Sequence, residues 1–246
     1  MEQRIFEITE NRSLASGIWR MHLAGDASAV TRPGQFVNLS LPGYFLRRPI
    51  SVHDREDGAI TLIYKVLGSG TADMTRLAPG TKLDVLTGLG NGYDLTRAGD
   101  APLLVGGGVG IPPLYWLAKE LIKLNKPVTA VLGFNRADEI FCLEEFAALG
   151  AEVALATVDG SRGVRGFVTD ALPEDYSCVY ACGPLPMLRA VDRATRGPLQ
   201  MSFEERMGCG FGACMGCTIQ TKNGGKRVCA DGPVLEREEI LWDALR

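Results

Sequence analysis

The sequence predicts a multi-domain β plus α/β chain in three parts. A six-stranded antiparallel β-barrel is expected over residues 1–98, a Rossmann-like parallel α/β domain over 99–203, and a small cysteine-rich domain over 204–246. Three observations lead there. Short runs rich in Val, Ile, Leu, Thr and Tyr fill the first part, separated by Gly, Pro, Asp and Asn turns. From about residue 99, apolar runs alternate with amphipathic ones, the rhythm of parallel strands joined by helices. Four of the seven cysteines then gather near the C-terminus.

In the first part the expected strands are "RIFEITENR", "GIWRMHLA", "GQFVNLSL", "RPISVH", "AITLIYKVLG" and "TKLDVLTG". Strands of this length and spacing close into a small barrel. Between the fifth and sixth, "GSGTADMTRLAPG" predicts a short helix that Thr71 caps and that ends before Pro79-Gly80.

In the second part "PLLVGG" precedes the helical "PPLYWLAKELIKLN", "PVTAVLGF" precedes "EIFCLEEFAAL", "EVALATV" precedes a looser stretch, and "SCVYACG" precedes "PLPMLRAVDRAT". The turn after the first of these strands is Gly106-Gly107-Gly108-Val109-Gly110-Ile111-Pro112-Pro113. Glycines leaving a strand and a proline opening a helix set bare N–H groups beside a diphosphate. The full G-x-G-x-x-G fingerprint is not met, because Ile111 occupies its last position. The loop reads as a nucleotide site, with a tight packing turn as the alternative.

Composition narrows the function. The chain has 246 residues, a net charge of -3 and 46% hydrophobic residues, with no block of basic side chains to attract nucleic acid or an anionic membrane. The start, "MEQRIFEITE", is charged where an export signal needs an apolar core, so a cytoplasmic location is expected. The stretch from Ala101 to Ala118 lacks charges but holds Gly and Pro throughout, which would leave a lipid-facing helix broken.

The third part opens with "SFEERMGCGFGACMGC" and has the spacing Cys209-x4-Cys214-x2-Cys217-x11-Cys229. Plant-type [2Fe–2S] centres use C-x4-C-x2-C and a distant fourth Cys. Glycines at 208, 210, 212 and 216 let the backbone approach inorganic sulfide. Structural zinc favours two close cysteine pairs, and here only one pair is close. A zinc module and unrelated buried thiols stay as the alternatives.

Taken together, "RRPIS", the glycine loop ending in proline and "YACGPLPML" resemble the ferredoxin–NAD(P)H reductase superfamily. That resemblance implies FAD on the barrel at Arg48, Pro49, Ile50 and Ser51, with Arg48 at its diphosphate and Ser51 near its ring. Ile63, Tyr64 and Lys65, and then Gly70 and Thr71, match further flavin contacts. It also implies NAD over Gly106, Gly107, Gly108 and Gly110, with Cys182, Gly183 and Pro184 where the nicotinamide meets the flavin. Plainer readings stand beside these: a surface arginine at 48, a rim pair at Tyr64 and Lys65, a small buried thiol at Cys182.

With the cysteine-rich end added, the whole chain resembles the electron-transfer subunits of NAD-linked dihydroorotate dehydrogenase. That implies a relay among NAD, FAD and [2Fe–2S], an FMN-binding (β/α)8 dihydroorotate dehydrogenase catalytic subunit as partner, and a hetero-oligomeric (heterotetrameric) assembly serving pyrimidine synthesis. The loop around Met207 and Phe211 is the expected contact with that partner. A subunit of another NAD(P)H–ferredoxin oxidoreductase or hydrogenase-type complex would share this domain order.

Overall fold

The computed structural model describes residues 1–245. The strands of the first part are β1 (Glu2–Ala15), β2 (Ile18–Ala24), β3 (Phe36–Leu39), β4 (Arg48–Glu56), β5 (Ala59–Lys65) and β6 (Lys82–Leu89), with helix α1 (Ser69–Met74) before β6. They close into an antiparallel barrel in the order β1-β2-β5-β4-β3-β6, as expected. Phe6 and Ile8 of β1, Met21 and Leu23 of β2, Leu62 and Tyr64 of β5, and Leu83 and Val85 of β6 fill its interior from alternate positions. Thr71 sits inside the first turn of α1 and does not cap it. Its hydroxyl reaches back and accepts the N–H groups of Leu67 at 2.9 Å and Gly68 at 3.2 Å, while Gly68 takes the cap position.

The second part runs β7 (Pro102–Gly107), α2 (Pro112–Lys123), β8 (Thr129–Phe134), α3 (Leu143–Ala148), β9 (Glu152–Thr157), β10 (Val164–Arg165), β11 (Cys178–Cys182), α4 (Leu185–Ala194) and β12 (Leu199–Ser202). After it come β13 (Thr218–Thr221), β14 (Gly224–Arg227) and β15 (Val234–Glu236). The main sheet has the order β10-β9-β8-β7-β11-β12-β15. Its strands are parallel except β15, which pairs antiparallel with β12 through Gln200 and Glu236, Met201 and Leu235, and Ser202 and Val234. Hence the cysteine-rich segment contributes a strand to the α/β sheet, and the short β12 and β15 are additions to the expected pattern.

Alternate residues of β7 feed two cores. Leu104 faces Leu117 and Phe146 of α2 and α3. Leu103 and Val105 face Leu188 of α4, Met201, and residues of the third part such as Cys217, Cys229 and Ile240. Sheets covered on both faces read as continuous apolar runs, which is why "PLLV" shows no alternation. Helix α3 is shorter than "EIFCLEEFAAL" suggests. Cys142 adopts φ 61, outside the helical range, and breaks the run before Leu143.

The barrel and the α/β domain meet along α2. Trp116 is buried with the barrel core, and Ile18 and Ile63 of the barrel are buried with the α/β core. Polar contacts cross the same seam: Lys119 pairs with Asp54 at 2.7 Å, and Arg20 pairs with Glu145.

Candidate functional site

Strand order places the cleft. β8 lies on one side of β7 and β11 on the other, so the connections leaving the carboxyl ends of β7 and β11 diverge. Such switch points open a crevice where ligands bind in parallel α/β sheets. Here a cavity of about 920 Å³ is lined by Gly107, Gly108 and Gly110 of the loop, by Cys182, Gly183 and Pro184, and across from them by Phe36, Pro49, Ser51 and Lys65 of the barrel. Another groove, of about 1050 Å³ beside Arg32, Lys119 and Glu239, is mainly polar and touches neither the glycine loop nor a thiol.

The loop and the end of β11 approach backbone to backbone. A Cβ on Gly110 would stand 2.5 Å from the Gly183 nitrogen and closer still to the Cys182 carbonyl. Gly106 serves strand–helix packing, since a Cβ there would meet Ile111 and Leu114. Burial pushes the Cys182 thiol up to about 12, against contacts with Ser202 and Tyr93 that pull it down. It is therefore a neutral thiol at the cleft wall, without the thiolate that nucleophilic chemistry needs.

On the barrel side, Pro49 and Ser51 face the cleft, while Ile50 packs against the barrel core. Arg48 lies at the strand's start, its guanidinium 4.5 Å above the Tyr44 ring and its Nη1 donating to the Leu46 carbonyl at 2.5 Å. It rests on Gly70, where a Cβ would come within 2.7 Å of its Cζ. Neighbouring Arg47 is paired with Asp84 at 2.7 Å. Arg48 makes no ion pair among the described residues, so its charge is held in place by neutral partners and is free for an anion.

The structure does not gather every residue of the expected flavin set. Tyr64 turns its ring into the barrel, where its hydroxyl donates to Asn11 at 3.0 Å. Ile63 is buried in the seam between domains, and the Thr71 hydroxyl is engaged at the start of α1. Of the consecutive residues Ile63, Tyr64 and Lys65, only Lys65 reaches the cleft.

The four cysteines of the third part stand as two adjoining pairs, Cys209 with Cys214 and Cys217 with Cys229. The sulfurs of Cys217 and Cys229 are 3.2 Å apart, and the Cys214 N–H points at the Cys209 sulfur at 3.4 Å. Burial raises the Cys209 thiol, yet the N–H groups of Cys214, Phe211 and Ala213 outweigh it and bring the thiol down to about 6. Amides aimed at a sulfur favour its anionic form, the form that ligates iron. Gly210 and Gly212 take φ 80 and 91, as a loop wrapped round a centre requires. Gly216 does not, and Met215 takes the left-handed turn with φ 61. Arg227 ties the loop down by donating to the Gly212 carbonyl at 3.0 Å while paired with Asp231 at 2.9 Å. These thiols and amides fit a four-cysteine iron–sulfur centre.

Sequence reasoning missed Asn38. It is 1% exposed in the apolar strand "FVNL", and its Nδ2 donates to the Cys209 carbonyl at 3.2 Å. It pairs in register with Pro49, so one residue joins the cleft wall to the cysteine loop. A lone amide in an apolar strand was the available signal. Met207 also departs from expectation: it lines the cleft and packs on the core, whereas Phe211 and Met215 are 45% and 55% exposed.

A closed barrel leaning on a parallel sheet, with a glycine loop and thiol at the switch point and four clustered thiols beside them, defines a ferredoxin-reductase-like oxidoreductase with an added iron–sulfur segment. Comparison with known proteins agrees. Residues 204–241 match the iron-sulfur cluster binding domain of dihydroorotate dehydrogenase B, and residues 104–193 match the oxidoreductase NAD-binding domain. The electron transfer subunit of dihydroorotate dehydrogenase B (NAD(+)) from Geobacillus sp. (strain WCH70) is 41% identical, over 98% of this chain and 99% of that one. Its counterpart from Bacillus caldolyticus is 43% identical, over 95% and 96%. Among solved structures, a chain from the NADH-dependent reduced ferredoxin-NADP oxidoreductase, reported in connection with flavin-based electron bifurcation, superposes with a TM-score of 0.88. It is 31% identical and the match covers 98% of this chain and 91% of that chain. The chain belongs to the family of dihydroorotate dehydrogenase B electron transfer subunits. No helix among the described residues is long and apolar enough to cross a membrane.

Proposed function

We propose that this chain passes electrons between a dihydroorotate dehydrogenase catalytic subunit and NAD+, as a cytoplasmic component of pyrimidine synthesis. The partner is an FMN-binding (β/α)8 chain and the assembly is a hetero-oligomer. The observation that carries the reading is the junction at Asn38, which links the cysteine loop to the strand pair presenting Pro49 and Ser51.

Cys209, Cys214, Cys217 and Cys229 would hold a [2Fe–2S] centre, Arg48 and the Pro49–Ser51 wall FAD, and the Gly106–Gly110 loop with Cys182–Pro184 the nicotinamide nucleotide. Flavin supplies exchange between paired electrons and single ones, a conversion that nicotinamide and an iron–sulfur centre cannot make directly. This chain's own residues orient and shield. Arg48, lacking a carboxylate partner, offers charge to a diphosphate. Pro49 and Ser51 face the neutral Cys182 thiol and the Gly183 backbone across the cleft, and Phe36 and Pro233 line it with apolar surface.

The superposition on the NADH-dependent ferredoxin-NADP oxidoreductase chain favours a second reading, in which the single-electron partner is a ferredoxin-type complex. A pair of assays separates the two. The isolated chain should reduce one-electron dyes with NADH and leave dihydroorotate untouched. Mixed with the candidate FMN subunit, it should reduce NAD+ with dihydroorotate. Turnover of dihydroorotate by the isolated chain would refute the relay. Failure of the mixture alongside rapid ferredoxin-dependent activity would install the second reading.

A further inference from the structure

The seam between the barrel and the α/β domain contains a side-chain cluster that the electron relay does not use. His53 of β4, Cys142 just before α3 and Glu145 in its first turn bring their donor atoms within 4.8 Å of one another. We propose that His53, Cys142 and Glu145 bind a zinc ion that ties the two domains together.

Each of the three is prepared for that role. His53 is 3% exposed, and its ring stacks on Tyr115 with centroids 4.5 Å apart. Its Nδ1 lies 3.1 Å from the Pro112 carbonyl, which can only accept, so Nδ1 carries the hydrogen and Nε2 keeps its lone pair. An imidazole held by a carbonyl through one nitrogen, with the other free, is the arrangement that orients metal-ligating histidines. Glu145 accepts from Arg20 through one oxygen, while its Oε2 is buried with no nitrogen or oxygen donor, the weak Cys142 thiol being the other group on this carboxylate. An unpaired buried carboxylate oxygen is costly and calls for a counterpart. Cys142 takes φ 61, a conformation that a non-glycine residue adopts at a cost, and this same residue sets its thiol beside the other two donors.

The donor set selects the ion. Imidazole, thiolate and carboxylate suit zinc, whereas magnesium and calcium take oxygen alone. Zinc donors lie roughly 2.0–2.3 Å from the ion, so the side chains must draw in by about 1 Å from their present spacing. Charge permits it. A thiolate and a carboxylate balance the dication, and Arg20, which keeps its bond to Glu145, carries the one remaining positive charge, with Glu10 as a further nearby anion. Lys119, the next cation along the seam, is already committed to Asp54 at 2.7 Å. Binding releases the thiol proton to solvent. One ligand comes from the barrel and two from the α/β domain, so the ion would fix the angle between the Pro49–Ser51 wall and the glycine loop.

The test uses the cofactor-loaded chain exposed to zinc chloride, desalted, and analysed for zinc and iron with zinc K-edge X-ray absorption. One zinc per chain is expected, with a single sulfur at about 2.3 Å and nitrogen or oxygen at about 2.0–2.1 Å. Saturating zinc should raise the unfolding midpoint by about 5–10 °C. His53→Ala and Glu145→Gln should each weaken zinc binding at least tenfold and abolish the rise. Cys178→Ala, at a buried thiol elsewhere, should change neither. Flavin content of each variant confirms that it is folded. No retained zinc, a sulfur-rich shell reporting the Cys209–Cys229 loop, or undiminished binding in folded His53→Ala and Glu145→Gln would each overturn the site.

Discussion

Gly110→Ala tests whether the glycine loop and the end of β11 form one binding surface. The added Cβ would lie 2.5 Å from the Gly183 nitrogen, about 1 Å inside van der Waals contact, and nearer still to the Cys182 carbonyl. Both obstacles are backbone, so no rotamer change relieves the clash. Overpacking of this kind costs about 1–3 kcal/mol, or roughly 2–12 °C in the unfolding midpoint for a chain of this size. The larger effect should fall on nucleotide use. A displacement of about 1 Å at a reacting geometry can lower the rate about 100-fold. NADH–dye turnover should therefore drop by about 10- to 100-fold, with flavin and iron content unchanged. Gly150→Ala, at a glycine that does not line the cleft, is the counterpart: a Cβ there meets open space, but φ is +93. It should lose about 1 kcal/mol through backbone strain and retain most turnover. Wild-type NADH kinetics and midpoint in Gly110→Ala, or equal losses in both variants, would refute the close-approach argument.

Other expectations follow from the same geometry. Cys214→Ser should strip most cluster iron while leaving flavin bound, and iron-to-flavin ratios unchanged at about two would remove Cys214 from the ligand set. Arg48→Ala should weaken FAD retention at least about tenfold, with Arg48→Lys recovering part, because a lysine cannot reproduce a planar fork held against Tyr44; gel filtration at low concentration reads the loss. Arg237 binds Asp192 at 2.6 Å as well as the Gly197 and Thr195 carbonyls. Arg237→Ala should thus lower stability by about 3 kcal/mol, measured by denaturant unfolding, and an unchanged midpoint would contradict it. Phe211→Glu with Met215→Glu should slow NAD+ reduction by dihydroorotate in the reconstituted assembly and spare NADH–dye activity; parallel loss of both rates would exclude this face as the contact.

Much of this architecture could be read from the chain. Barrel strands announce themselves by alternation against a filled interior, and the cysteine spacing survives folding unchanged because a thiol loop is local. What escaped depends on distant partners. Alternation along "AITLIYK" does not reveal which face looks inward, so Tyr64 read as a flavin contact, or else as a rim residue, although Asn11 receives its hydroxyl inside the barrel. β12 and β15 have only four and three residues, too few for a periodic signal, and pair across more than thirty intervening positions. The break at Cys142 is invisible in a segment whose composition favours helix throughout. Asn38 was legible only as an oddity, and its meaning came from the loop that folds onto it.

The antiparallel strand β15 also bears on how the cysteine segment can be separated from the rest. An exposed, unpaired strand is a template for pairing with another chain, and β12 is covered on that side only because β15 returns to it. Cutting the chain at residue 203 to make a flavin-and-nicotinamide fragment would leave Gln200, Met201 and Ser202 with open main-chain groups. It would also uncover the apolar face that Cys217, Val228 and Ile240 occupy. Such a fragment should self-associate, so modular transplantation of the metal-binding segment needs a replacement strand as well as a new acceptor.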